Sequence, residues 1–171
     1  MREEANKLYL KYTNGSMEAF SDLVRLIAPR FYRLFRHLGA DAADSEDYCQ
    51  EFFFTIYRAG KTFSKDRDFM PWAYAIARNI FWKERERSSK LKIIPLAEWV
   101  ASREKYCYKY EISDILAKLP EEKRIVFELK HFSGLKFDEI AKILKIPVGT
   151  VKSRMFSAVM NLKEIISRSG I

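Results

Sequence analysis

The residues that could carry covalent, metal or acid–base chemistry are few, and their spacing supports none of it. The chain has two cysteines, Cys49 and Cys107, and two histidines, His37 and His131. The cysteines form no CxxC pair, and only the two histidines could complete a zinc site with them. Two cysteines are too few for a disulfide framework, which fits a reducing compartment. No Gly-rich phosphate loop is present, and neither histidine has an evident Ser or Cys partner. Both histidines read as surface or helix-end residues. The expectation is a binding protein, with no enzymatic activity, no cofactor and no metal.

Three stretches carry binding chemistry instead. The first is Asp44-Ser45-Glu46-Asp47-Tyr48-Cys49-Gln50-Glu51-Phe52-Phe53-Phe54. Asp44 or Ser45 can cap a helix whose early acids suit the macrodipole. Tyr48, Cys49, Phe52, Phe53 and Ile56 repeat at three and four and form the buried stripe. Asp44, Asp47 and Glu51 form an opposing anionic stripe, with Gln50 beside it. That stripe is either a docking face for a basic partner helix or a solvated face rich in helix-favouring acids.

The second stretch is Phe69-Met70-Pro71-Trp72-Ala73-Tyr74-Ala75-Ile76-Ala77-Arg78-Asn79-Ile80-Phe81-Trp82-Lys83. On a helical projection Phe69, Trp72, Ala73, Ile76, Ala77 and Ile80 share a core face. Tyr74, Arg78, Trp82 and Arg85 fall within about 80° of each other on the opposite face. Exposed aromatics with bases are what single-stranded nucleic acid needs, since rings stack on bases and cations hold phosphates. The alternative is that Tyr74 and Trp82 meet a neighbouring helix.

The third stretch is C-terminal. Phe137 to Leu144 reads as a short amphipathic helix, Lys145-Ile146-Pro147 as a tight break, and Val148-Gly149-Thr150-Val151-Lys152-Ser153-Arg154 as the start of a longer helix. The longer helix has a core face of Val151, Met155, Ala158, Leu162 and Ile165. Its outer face is Lys152, Ser153, Phe156, Ser157 and Lys163. Short helix, turn and longer helix with an exposed basic-polar first half is the helix-turn-helix pattern; an ordinary helical hairpin is the alternative.

The elements that must position these stretches are nearly all helical. Gly and Pro are sparse, at six and five, and apolar residues recur at three and four with no alternating segment. The 171 residues are 48% hydrophobic and 15% aromatic, enough for real cores in one domain or two small ones. Breaks are expected at 13–15, 38–40, 60–68, 120, 133–134 and 145–147. The irregular stretch 88–110 reads as a linker, with room for a short helix at 96–102. The resulting fold class is all-α, two small helical domains joined by a linker. The division is 1–88, 89–110 and 111–171, with a helix-turn-helix in the last.

Charge is segregated along this frame. Lys and Arg number 31 against 23 Asp and Glu, leaving a net charge of +8 and favouring a polyanionic partner. Residues 37–57 hold five acids and no Lys or Arg, whereas 76–90 hold five bases against Glu84 and Glu86, and 145–171 hold five bases against Glu164 alone. One acidic and two basic patches imply at least two kinds of partner. Met1-Arg2-Glu3-Glu4 opens no apolar signal core, and no run of about 18 apolar residues exists, so membrane insertion is not expected. A cytoplasmic location is the expectation.

In this order the three stretches resemble a bacterial sigma factor of the extracytoplasmic-function group. Gly15-Ser16-Met17-Glu18-Ala19-Phe20 is similar to that group's opening motif, 44–51 to its polymerase-binding helix, and 69–79 to its promoter-melting helix. Ile146-Pro147-Val148-Gly149-Thr150-Val151-Lys152-Ser153-Arg154 is similar to its upstream-element recognition helix. The resemblance spans about residues 6–166 and implies an alternative sigma factor that binds core RNA polymerase and directs promoter-specific initiation. A stand-alone helix-turn-helix repressor or activator is the competing function; it would need neither the acidic helix nor the basic-aromatic stripe.

The resemblance also implies roles. Asp44, Glu46, Asp47, Gln50 and Glu51 would dock on polymerase. Tyr74, Arg78, Asn79, Trp82, Lys83 and Arg85, with the loop 60–68, would hold the melted downstream promoter element. Thr150, Lys152, Ser153, Arg154, Phe156 and Ser157 would read the upstream element in the major groove. The linker would thread toward the polymerase active-site cleft. Promoter DNA, duplex and melted, and core polymerase are the implied partners, with an anti-sigma factor as a further candidate. Ser157 and Val159 stand where relatives often carry arginines, and Lys136 stands where a capping Ser is common.

Overall fold

The computed structural model describes residues 1–64, 66–91 and 112–169. The linker expected at 89–110, the short helix within it and Cys107 fall wholly or mostly outside them. Among the described residues the chain is made of helices joined by short turns, with no strand.

Helix α1 (Arg2–Thr13) buries Ala5 and Tyr9, one turn apart, and stops at Gly15, whose φ of 106° is open to glycine without strain. Helix α2 (Met17–Leu38) is capped by Ser16, whose Oγ accepts from the Ala19 N–H at 3.2 Å. It buries Ala19, Leu23, Ile27, Phe31, Leu34, Phe35 and Leu38, and ends at left-handed Gly39.

Helix α3 (Ala42–Arg58) starts earlier than expected. Its cap is Asp41, not Asp44 or Ser45: the Asp41 carboxylate accepts from the Asp44 N–H at 2.8 Å, and Ser45 is fully buried. Ala42 and Ala43 favour the helical state, so the helix extends back to the first residue able to cap it. A short 3-10 turn, Ala59–Thr62, follows. A Cβ on Gly60 would lie 2.6 Å from the Tyr12 ring, and the Tyr12 hydroxyl donates to the Tyr57 carbonyl at 2.6 Å.

Helix α4 (Phe69–Leu91) runs past the boundary expected at residue 88. Its free N–H groups are met by Asn6, which accepts from Phe69 at 2.6 Å, and by Asp68, which accepts from Met70 at 3.2 Å.

The C-terminal part comprises α5 (Ile112–Ala117), α6 (Glu121–Phe127) continued by one π turn (Glu128–Phe132), α7 (Phe137–Leu144) and α8 (Val148–Ser169). Lys145 takes the left-handed conformation between α7 and α8 (φ 56°), and the Ile146 N–H returns to the Ala141 carbonyl at 3.1 Å. The break expected at 145–147 is therefore a helix-terminating turn. The start of α7 is fixed without a capping Ser: the Glu139 carboxylate accepts from the Lys136 N–H at 2.8 Å.

The N-terminal helices pack around an aromatic core in which Phe31 stacks on Phe52, ring centres 4.1 Å apart. A smaller cluster of Leu116, Leu119, Ala158 and Leu162 ties α5 to α8. The two parts pack against each other. Ile125, Val126, Leu129, Leu135, Ile140 and Ile143 are buried in one apolar cluster with the N-terminal core, where α4 meets α7 and α2 meets α5 and α6. A fully buried large apolar side chain stabilises by about 1.5–3 kcal/mol. A partly exposed ion pair contributes about 0–1 kcal/mol. Apolar burial therefore supplies most of the cohesion of this seam, and polar contacts set its register.

Candidate docking and nucleic-acid interfaces

The acids of α3 face outward. Asp44, Glu46, Asp47, Gln50 and Glu51 are all exposed, while Phe52 and Ile56 on the other side are fully buried. Beside them runs a groove of about 420 Å³ between α2 and α3, lined by Ala28, Pro29, Tyr32, Glu46, Cys49 and Gln50. The small residues Ala28 and Pro29 let an incoming side chain approach the α2 backbone. Burial pushes the Cys49 thiol up to about 11, so at neutral pH it stays protonated and weakly nucleophilic. The pattern of exposed and buried side chains on this helix is as the sequence spacing reads, and only the cap differs.

The stripe on α4 does not stand free. Tyr74 is 1% exposed, packed 4.9 Å from Phe31 in the N-terminal core. This corrects the reading of Tyr74 as part of an exposed face. Helix α4 is covered on more than one side, by α1 and α3 and also by α7, and a projection that assumes one buried face misplaces Tyr74. Burial pushes its hydroxyl up to about 12. Arg78 and Trp82 are half-buried, and Asn79, Lys83 and Arg85 are exposed. The Arg78 guanidinium lies 5.9 Å from the Trp82 ring centre and donates to Asn79 at 2.7 Å. It also donates to the Ile143 carbonyl of α7. Desolvation lowers its pKa. Arg85 pairs with Glu121 of α6 at 2.8 Å. A cleft of about 630 Å³ opens here, lined in part by Arg78, Trp82, Ile125, Lys145 and Arg154.

The outer face of α8 is accessible. Phe156 is 70% exposed, Lys152 and Ser153 are exposed, and Thr150 and Ser157 are half-buried. The Ser153 hydroxyl donates back to the Thr150 carbonyl at 3.0 Å, leaving its lone pairs outward. Arg154 is turned to one side, where it pairs with Glu122 at 2.6 Å. The core face is as expected, with Val151, Met155, Ala158 and Leu162 buried and Ile165 half-buried.

Two features had no signal in the local pattern. His37 is at a helix end, as read, but mostly covered: its Nδ1 lies 2.6 Å from the Glu128 carboxylate, and Glu128 is 3% exposed. Burial raises the Glu128 pKa, against which the His37 hydrogen bond acts. The second feature is Arg2, which reaches Asp68 at 2.6 Å and Glu139 of α7. Burial alone would raise the Glu139 pKa, but hydrogen bonds from Arg2 and the Lys136 backbone outweigh it and hold it below the ordinary value. Both contacts join residues far apart in the chain, so no helical periodicity announces them.

Among the described residues no His, Cys, Asp and Glu group could hold a metal ion, and no helix is long and apolar enough to cross a membrane.

Comparison with known proteins agrees with this geometry. The Sigma-70 region 2 family matches residues 23–90 and the Sigma-70 region 4 family matches residues 109–162. The ECF RNA polymerase sigma factor SigW of Bacillus subtilis is 30% identical over 159 residues, covering 82% of this chain and 85% of that protein. The RNA polymerase sigma-H factor of Pseudomonas aeruginosa is 29% identical, covering 92% and 91%. Of solved structures, CnrH in complex with the cytosolic domain of CnrY superposes with a TM-score of 0.74 at 23% identity, covering 96% of this chain and 98% of that one. The sigma factor RpoE of Bartonella quintana, in complex with the anti-sigma factor NepR, superposes at 0.72 and 20% identity, covering 88% and 98%. Matched in both conserved regions and along most of its length, the chain belongs to the extracytoplasmic-function sigma factors, the alternative sigma factors that direct transcription initiation.

Proposed function

We propose that this sigma factor divides its work among the three faces described above. The exposed acids of α3, Asp44, Glu46, Asp47 and Glu51 with Gln50, dock on a basic helical element of core RNA polymerase. Their side chains are solvated and the groove along Ala28 and Pro29 lies alongside, so a partner helix finds both charge and shape. This outward acidic face on a chain of net charge +8 is the observation that carries the reading, because a protein binding DNA by itself has no use for it.

Arg78, Asn79, Trp82, Lys83 and Arg85 hold the melted downstream promoter strand, Trp82 by stacking and the bases by phosphate contact. Tyr74 shapes this face from beneath. Thr150, Lys152, Ser153, Arg154, Phe156 and Ser157 meet the upstream element as duplex, with the N-terminus of α8 toward phosphate. The working division is 1–88 for polymerase and melted DNA, 89–110 as linker and 111–171 for duplex DNA. Such a protein acts where polymerase is, in the cytoplasm, and its relatives' complexes make an anti-sigma factor a further partner. Co-purification with core polymerase, followed by run-off transcription from a promoter that core enzyme alone ignores, tests the reading. Failure of the chain to bind core enzyme overturns it.

A further inference from the structure

Loop 60–68 separates α3 from α4, and both helix ends that flank it are completed by α1. At the first end, the Tyr9 hydroxyl donates to the Ile56 carbonyl at 2.7 Å, and the Tyr12 hydroxyl donates to the Tyr57 carbonyl at 2.6 Å. Both carbonyls lie in the last turn of α3, where helix geometry leaves acceptors without intrahelical donors. At the other end, the Asn6 side chain accepts from the Phe69 N–H at 2.6 Å. Arg2 donates to one Asp68 oxygen at 2.6 Å, and the other oxygen accepts from the Met70 N–H at 3.2 Å. Between the two ends, Phe63 packs edge-on against the Tyr9 ring, centres 4.9 Å apart. Arg2, Asn6, Tyr9 and Tyr12 fall within about 120° on a helical projection, so one side of α1 makes all of these contacts.

We propose that α1 is the positioning element of loop 60–68, and that Asn6 and Tyr12 govern how tightly the loop holds a promoter base without touching DNA themselves. This inference rests on the reading of that loop, with α4, as the holder of the melted downstream strand. One rigid helix fixes the separation of both loop ends, and Phe63 pins the stretch between them. Thr62, Ser64, Asp66 and Arg67 are left exposed, as polar groups available to a base. A loop held in shape before DNA arrives avoids the ordering cost that a loose loop incurs on binding. The bonds from Asn6, Tyr9 and Tyr12 go to backbone groups, so they set the path of the chain whatever side chains the loop carries. Stability of α4 alone would not need Asn6, because Asp68 already caps the helix locally; a partner 63 residues away adds a fixed position. Gly60 serves the same end: the Tyr12 ring lies 2.6 Å from where its Cβ would be, so the backbone runs hard against α1 as it enters the loop.

The test uses the chain bound to core polymerase, on a promoter that the parent opens. Single abasic sites are placed in turn along the non-template strand of the melted segment, and the readout is open-complex lifetime. An abasic site that shortens the lifetime in the parent, and still does so in Trp82→Ala, is one held by the loop. Asn6→Ala with Tyr12→Phe removes one acceptor and one hydroxyl and keeps the aromatic packing. This pair should bind core enzyme as the parent does and shorten the lifetime on the intact promoter about tenfold, as two such hydrogen bonds imply. On the template abasic at the loop's site, the pair and the parent should differ little. Asn6→Asp keeps an acceptor at the N-terminus of α4 and should recover most of what Asn6→Ala loses. Should the pair fold poorly, Tyr12→Phe alone carries the test, with a loss of about threefold. Equal losses on intact and abasic templates overturn the proposal, because α1 then acts only through the stability of the fold. An unchanged lifetime on the intact promoter overturns it as well. If the parent has no abasic-sensitive site beyond those that depend on Trp82, the loop's own assignment has failed, and the inference falls with it.

Discussion

The guanidinium of Arg78 donates to the backbone carbonyl of Ile143, so a base on the N-terminal part caps the last turn of a helix in the C-terminal part. The helix end gains a partner for a carbonyl that has none within α7. The cost falls on Arg78, which is desolvated and committed, and every expectation for the α4 face must reckon with that.

Reversing Asp47 and Glu51 to Lys should abolish binding to core polymerase. Both side chains are exposed, so the thermal midpoint should barely move, with a stability change within about 0.5 kcal/mol. Co-purification and a circular-dichroism melt together separate lost docking from lost folding.

Tyr74 and Trp82 should behave differently. Tyr74→Ala should destabilise by about 3–5 kcal/mol, the usual range for emptying a large aromatic site in a core. Tyr74→Phe should leave open-complex formation intact. Trp82→Ala should weaken open complexes by about 1–3 kcal/mol if one base stacks there, and less on a template with a pre-melted bubble. Equal loss on both templates would assign Trp82 to packing.

Lys152→Ala should reduce footprint protection at the upstream element and spare the downstream one on a promoter with strong downstream contacts. The isolated contribution of α8 should be weak and salt-dependent, because Arg154 is already paired with Glu122. Protection lost first downstream would mean the two DNA faces are assigned the wrong way round.

Glu139 gives a pH-dependent expectation. Its carboxyl is held below the ordinary value of 4.5, so its ionised form stabilises the folded chain. That stability is fully present above 4.5 and is lost as pH falls through the depressed native value. Glu139→Gln keeps an acceptor for the Lys136 N–H but not the charge. Its melting midpoint should lie below the parent's at neutral pH and converge with it in acid. A constant gap across the range would show that the charge contributes nothing.

Gly60→Ala should destabilise by about 1–3 kcal/mol, the range for overpacking, by driving the Tyr12 ring from its place and breaking its bond to the Tyr57 carbonyl. A melt unchanged from the parent would mean that Tyr12 has room to shift.

What the amino-acid sequence determined alone is what depends on neighbours one turn away. The 3.6-residue repeat places Leu23, Ile27, Phe31 and Leu34 inward on α2, and Val151, Met155, Ala158 and Leu162 inward on α8. Gly39 and the break at 145–147 end their helices through local backbone conformation. The acids of α3 and the outer face of α8 were legible for the same reason: a residue opposite a single buried stripe faces water. The tertiary structure decided what depends on a second neighbour. Tyr74 is inside because α4 is covered on more than one side. His37 is mostly covered because Glu128, far away in the chain, supplies the carboxylate that lets an imidazole leave water. Arg2, Arg78 and Arg85 meet carbonyls and carboxylates across a seam between the two parts. No periodicity within one helix records which other helix will arrive.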